Sequence, residues 1–173
     1  MGTVVEVLGR LADPGVDLKV VMAKYELPDA FPGEVEKEAE RVARRPGRKE
    51  VSECTDFRDW TTVTIDPATA RDHDDAIAVE RRDDGGWRLA VHIADVAHYV
   101  REGGPLDQEA YLRGTSVYFP EKVVPMLPHA LSNDVCSLVE GTDRLTQSVV
   151  LELDEKIARE VMALRGLKGS IHW

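Results

Sequence analysis

Four aspartates fall within ten positions of one segment, Thr64-Ile65-Asp66-Pro67-Ala68-Thr69-Ala70-Arg71-Asp72-His73-Asp74-Asp75-Ala76. Asp66 and Asp72 can be no more than about 20 Å apart even on a fully extended chain. Pro67 to Ala70 reads as a turn that shortens that distance. In a continuous strand Asp72 and Asp74 would share a face and Asp75 would point away. All four converge only if the backbone bends, so the segment is predicted as a loop at a strand end. Carboxylates gathered in a partly buried place raise each other's pKa, and a divalent cation relieves that conflict. Hard oxygen ligands favour Mg²⁺, which keeps several waters and completes its octahedron with substrate phosphates. Two such ions about 4 Å apart serve an in-line displacement at phosphorus. The bland alternative is an acidic surface turn, with Asp at turn and cap positions. Composition alone leaves both readings open. A calcium loop of the EF-hand kind is disfavoured, because its glycine and distal bidentate Glu are missing.

The elements around this loop must position it. Val4, Val5, Val7 and Leu8 form a short apolar run predicted as a strand, and Asp13-Pro14-Gly15 marks a turn. Leu18, Val21, Met22 and Tyr25 then recur at helical spacing until Leu27-Pro28. Pro32-Gly33 opens a second, highly charged helix with Val35, Ala39, Val42 and Ala43 on one stripe, and Pro46-Gly47 stops it. From Trp60 to Ile65 the residues are β-branched and aromatic, and Ala76 to Glu80 alternates apolar and polar positions. Asp83-Asp84-Gly85-Gly86 is a hairpin turn leading into the run Trp87 to Val96. Pro105 to Leu112 is predicted as a short helix and Ser116 to Phe119 as a strand. Gln147 to Leu153 alternates again, with Val149, Leu151 and Leu153 on one face. Strands joined by tight turns, with short interposed helices, define an α+β chain built on a mainly antiparallel sheet.

Other chemically suggestive residues have plainer readings. His92, Asp95 and His98 have metal-ligand spacing for a helix, but the apolar run Leu89 to Val96 predicts a strand. Packing or hydrogen bonding is therefore the expected role of the two histidines. Arg41, Arg44, Arg45, Arg48 and Lys49 form the densest basic cluster. A solvated helix end, where cations complement the C-terminal dipole, explains it better than a phosphate patch. Arg71 and Arg113 could reach phosphates or neutralise the acidic loop.

Composition bounds the rest. The chain has 173 residues, 22 Lys+Arg against 32 Asp+Glu, a net charge of −10 and a pI near 5.0. It is 43% hydrophobic and 31% charged, an ordinary globular balance with enough length for a core. Cys54 and Cys136 make no disulfide framework and no zinc spacing, so a reducing, cytoplasmic compartment is expected. No apolar stretch is long enough to span a bilayer, and no signal-peptide layout stands at the N-terminus. The acidic balance by itself argues against a bulk nucleic-acid binder, whose footprint is basic.

Residues Thr64 to Ala76 closely resemble the T-I-D-x-x-x-A-R-D-x-D-D-A signature of the RNB catalytic domain. That domain is shared by ribonuclease II, ribonuclease R and the catalytic subunit of the eukaryotic exosome, and the ribonuclease R branch is the nearer likeness. Five blocks similar to the family follow in family order: Val91 to Val100, Arg113 to Pro120, Pro125 to Pro128, Leu131 to Leu138, and Asp143 to Leu145. The resemblance implies a processive, Mg²⁺-dependent 3′→5′ exoribonuclease that acts on the 3′ end of single-stranded RNA and releases nucleoside 5′-monophosphates. It implies that Asp66 and Asp75 hold a metal, that Asp72 is the remaining acidic ligand, and that Asp74, also at the metal, is tied most directly to cleavage. Tyr118 matches an aromatic residue that stacks on a base near the 3′ end, a role suited to a π-face indifferent to sequence. Its plain alternative is a strand tyrosine half in the core.

The resemblance also predicts the domain layout. Residues 1–49 resemble the end of a cold-shock (OB-like) domain and a helical linker, residues 50–153 the N-terminal part of the RNB domain, and residues 154–173 a divergent C-terminal tail. In that tail Ile157, Val161, Met162 and Leu164 read as a helix. The family's domain is roughly twice as long as the matched segment, and its later part supplies an arginine that stabilises charge on the phosphate. The chain is thus expected to be a truncated form, weak or inactive alone, whose negative charge reflects the aspartate site without its basic RNA-binding flanks. A non-catalytic RNA-binding module that keeps the scaffold is the competing expectation, and it leaves all four aspartates unexplained.

Overall fold

The computed structural model describes residues 2–10 and 12–157. Its elements in chain order are α1 (Val16–Lys24), α2 (Gly33–Val42), α3 (Arg48–Ser52), β1 (Thr62–Val63), β2 (Asp75–Arg81), β3 (Trp87–Ala94), α4 (Val96–Tyr99), α5 (Pro105–Arg113), β4 (Val117–Tyr118), β5 (Val123–Val124), a π-helical turn (Leu131–Val135) and β6 (Thr146–Leu153). This is the expected α+β composition, with an antiparallel sheet and short helices. Two compact units emerge, one from residues up to 44 with 99–132, the other from residues 45–98 with 133 onward. The sequence boundary near residue 49 therefore does not coincide with the division in space.

The first unit is held by helix packing. Asp13-Pro14-Gly15 turns as expected, with Gly15 at φ 76, and the Asp13 carboxylate accepts the Arg10 N–H at 2.9 Å. Within α1 the buried residues are Val16 and Met22, while Tyr25 is left exposed. Val35 and Ala39 of α2 are buried, as is Leu106 of α5. The Glu38 carboxylate accepts the Leu106 N–H at 3.0 Å, satisfying one of the orphan donors in the first turn of α5. That cross-link explains why residues 99–132 group with the N-terminal helices. Arg113, at the end of α5, has a side chain only 3% exposed. Its guanidinium donates to Glu109 at 2.8 Å, to the Ala30 carbonyl at 2.8 Å and to the Pro125 carbonyl at 3.1 Å, and lies 3.7 Å from the Phe31 ring centroid. Arg113 is thus a structural latch of this unit. The apolar run from Val4 to Leu8, expected as a strand, is irregular instead. Val5 is 97% exposed, and the run finds no ladder partner among the described residues.

The second unit is a four-stranded antiparallel sheet in the order β1-β2-β3-β6. Alternation along the strands sends Ala76 and Ala78 of β2, and Ala90, His92 and Ala94 of β3, to the buried face. The hairpin joining β2 and β3 closes through Gly85 at φ 86, as its turn residues predict. One expectation needs correction. Trp60 does not open a strand: its N–H donates to the Phe57 carbonyl at 3.0 Å in a turn, and β1 shrinks to Thr62–Val63. As expected, Val149 and Leu151 share a face of β6; it is an exposed one, because His92 pairs with Ser148 and sets Thr146 and Ser148 toward the other side. The helix predicted in the tail falls, beyond Ile157, outside the described residues.

Candidate active site

The aspartates lie where expected, on the loop between β1 and β2, with Asp75 opening β2. The turn over Pro67 to Ala70 forms, the Ala70 N–H donating to the Pro67 carbonyl at 2.8 Å. The loop is then pinned from both sides. At one end the Asp74 carbonyl accepts the Ala94 N–H at 2.9 Å, extending the β2–β3 ladder by one bond. At the other, the Leu138 N–H donates to the His73 carbonyl at 2.7 Å, and the Ser137 hydroxyl sits between the Arg71 carbonyl (2.8 Å) and the His73 N–H (3.1 Å). The 134–138 segment is braced in turn by Arg144, which donates to the Ser137 carbonyl at 2.9 Å and to Asp134 at 3.1 Å.

The side chains are less gathered than the backbone. Asp66 meets His73, with 2.9 Å between Oδ2 and Nδ1, so the loop closes on itself. Asp72 is half-buried, while Asp74 and Asp75 are exposed. As consecutive residues entering an extended strand, Asp74 and Asp75 point to opposite sides. Among the described residues no three His, Cys, Asp or Glu side chains stand together as a metal-holding group. Local geometry accounts for this: the histidine engages Asp66, and Asp74 and Asp75 diverge at the start of β2. The donor set itself, four carboxylates within one loop, has the hard-oxygen chemistry that suits Mg²⁺.

The remaining predicted residues fall out clearly. Tyr118 lies on the two-stranded β4–β5 ribbon of the first unit and is 62% exposed, so it is not a core tyrosine. His92 is buried on β3, its Nδ1 2.8 Å from the Ser148 hydroxyl, and Phe57 meets its ring edge-on at 5.1 Å. Burial holds the His92 pKa below the usual 6.5. His98 faces Glu50 at 3.4 Å, and Asp95 accepts from Gln147 at 3.2 Å. These are the packing and hydrogen-bonding roles expected of them. Arg41 closes α2 in an ion pair with Glu38 at 3.3 Å, which fits the helix-end reading of the basic cluster. Sequence reasoning missed His73, which it treated as a spacer, and the brace formed by Ser137, Leu138 and Arg144. Nothing in their spacing announces contacts 64 to 66 residues away.

Comparison with known proteins bears on the family of the chain. The RNB domain family matches residues 54–172, and the cold shock domain family matches residues 1–32. The chain belongs to the RNB family. It is 54% identical over 153 residues to ribonuclease R of Thermotoga maritima, covering 87% of this chain and 22% of that protein. It is 43% identical over 156 residues to ribonuclease R of Escherichia coli, covering 90% of this chain and 19% of that protein. The chain thus spans about a fifth of the length of these relatives. Among solved structures, Mycoplasma genitalium RNase R in complex with ribose-methylated single-stranded RNA superposes with a TM-score of 0.78 at 36% identity, over 86% of this chain and 23% of that one. The same protein in complex with double-stranded RNA gives the same score. Yeast Ssd1, a pseudonuclease, shares the fold with a TM-score of 0.62 at 22% identity over 85% of this chain and 19% of that one. Fold alone therefore does not decide activity.

Proposed function

We propose that this chain carries the metal-binding aspartate loop of a 3′→5′ exoribonuclease that hydrolyses single-stranded RNA from its 3′ end to nucleoside 5′-monophosphates. The observation that carries the reading is the complete set Asp66, Asp72, Asp74 and Asp75 on one braced loop at the edge of an RNB-type sheet. Asp66, Asp72, Asp74 and Asp75 would hold Mg²⁺, and Asp74 would be the carboxylate of the cleavage step. Bound Mg²⁺ supplies Lewis-acid stabilisation and an activated water for in-line displacement at phosphorus. Asp74 is exposed, so its carboxylate is open to water. The exposed Tyr118 ring offers a stacking platform for a base near the 3′ end. No helix of the described residues is long and apolar enough to cross a membrane, and the cytoplasm, where such an enzyme meets RNA, is its proposed compartment.

The test uses labelled single-stranded RNA and the 173-residue chain with and without Mg²⁺. Weak or no 3′ trimming is expected of this chain alone, together with Mg²⁺ binding that Asp74→Asn weakens. Robust trimming abolished by Asp74→Asn would overturn the expected weakness of the chain. RNA binding with no metal binding at the loop would overturn the nuclease reading in favour of a non-catalytic RNA-binding module.

A further inference from the structure

The backbone on either side of Asp72 has no ladder of its own. β2 begins only at Asp75, so the Arg71 carbonyl and the His73 N–H must be satisfied elsewhere. One side chain does both. Ser137 is 0% exposed, and its hydroxyl donates to the Arg71 carbonyl at 2.8 Å while accepting the His73 N–H at 3.1 Å. A hydroxyl is the smallest group able to donate and accept at once. The neighbouring Leu138 N–H fixes the His73 carbonyl at 2.7 Å, so three bonds converge on the three residues centred on Asp72. Ser137 is itself immobilised, its N–H bonded to the Asp134 carbonyl at 2.9 Å and its carbonyl held by Arg144 at 2.9 Å.

We infer that Ser137 is a positioning residue: its hydroxyl sets the backbone that carries Asp72 and so spaces Asp72 from Asp74 in a form ready for a divalent cation. The inference rests on the metal reading above for its consequence, though not for its geometry. Removing the hydroxyl leaves a part-buried donor and a part-buried acceptor unpaired, and the cheapest relief is for the loop to open to water. Ser137 is fully buried and bonded to the loop backbone, so it acts through the loop.

The experiment compares the wild-type chain with Ser137→Ala and Ser137→Thr, using Mn²⁺ as an oxygen-seeking probe and Asp74→Asn to mark which binding belongs to the loop. Amide hydrogen exchange is read at residues 71–74 and, separately, along β2 and β3. In Ser137→Ala, exchange at the His73 amide is expected to quicken by about tenfold or more, and loop Mn²⁺ affinity to fall by a similar factor, with β2 and β3 protection unchanged. Ser137→Thr keeps the hydroxyl, and loop protection relative to the strands is expected to survive in it even if its added methyl lowers overall stability. Wild-type exchange at His73 in Ser137→Ala overturns the inference, and so does acceleration spread evenly over the sheet. If Ser137→Ala does not fold, Ser137→Thr decides: retained loop protection and Mn²⁺ binding support the role, and their loss in a folded chain overturns it. A wild-type chain that binds no Mn²⁺ at the loop would sink the metal reading alone, and the exchange pattern would still judge the positioning role.

Discussion

Arg113 gives the sharpest test of how the first unit holds together. Arg113→Met keeps most of the stem volume and removes the guanidinium, which is buried against Glu109, the Ala30 and Pro125 carbonyls and the Phe31 ring. Hydrogen bonds from a charged donor contribute about 1.5–3 kcal/mol each. A simple sum over three such bonds, plus the ring contact, overshoots. The Ala30 carbonyl is exposed enough to regain water, and Glu109, 14% exposed, recovers part of its hydration. Breaking a buried pair by removing one partner typically costs about 3–5 kcal/mol, and the partial rehydration places this case at the low end, about 3 kcal/mol. Urea denaturation followed by far-UV circular dichroism, which reports the helices of this unit, measures it. Arg113→Lys should recover only part of the loss, since a point charge cannot reproduce the fork that spans two carbonyls and a carboxylate. In the double variant Arg113→Met/Glu109→Leu the loss should be smaller than the sum of the singles by about 1–2 kcal/mol, because no carboxylate is left stranded. A loss below about 1 kcal/mol for Arg113→Met, or full rescue by Lys, would refute the latch.

Three further outcomes follow from the second unit. His92 is buried with a lowered pKa, so the unfolded chain protonates first: its contribution is complete above about pH 6.5 and is lost as pH falls below that value through the folded pKa. Stability measured at stepped pH should therefore fall less steeply between neutral and mildly acidic pH in His92→Gln than in the wild type, and parallel curves would contradict this. A Cβ on Gly86 would stand 2.6 Å from the Leu153 carbonyl oxygen, whereas one on Gly85 meets open space and only the strain of φ +86. Gly86→Ala should thus lower the melting temperature more, at about 2–3 kcal/mol against about 1 kcal/mol, and the reverse order would show that β6 yields at that end. Cys54 is exposed, while burial, helped by the charge of Asp95, pushes the Cys136 thiol up to about 12. A thiol reagent should therefore titrate Cys54 alone in the native chain, and Cys54→Ser should be unreactive until denatured.

What was legible in the residues was what neighbouring residues decide. The Pro67 to Ala70 turn, the Gly85 hairpin, α2 and α5 depend on local backbone preferences, and each forms within about three residues of its predicted span. The four aspartates were legible because one short segment carries them all. Trp60 was misread because its aromatic, β-branched surroundings fit a strand equally well, and only the bond to the Phe57 carbonyl decides for a turn. The orientation of β6 depends on which residue faces His92, a register that no alternation pattern states. The sequence leaves the role of Arg113 open between phosphates and the acidic loop, because its actual partners come from three separate stretches of chain.

The same distinction applies within the site. A cluster of like charges can be written locally, but it cannot hold itself in place, since repulsion favours every motion that separates the carboxylates. The restoring contacts must come from groups without negative charge, and most of them come from elsewhere in the chain. Here they are the Ala94 amide, the Leu138 amide and the Ser137 hydroxyl, all acting on the backbone rather than on the carboxylates. Bonds to the carboxylates themselves would compete with a cation for the same oxygens, as His73 does at Asp66. Fixing the backbone and leaving Asp74 and Asp75 exposed reconciles a stable loop with open ligands. The net charge of −10 therefore bears on RNA binding less than its size implies: four of those charges sit where Mg²⁺ is proposed to offset them before a phosphate approaches.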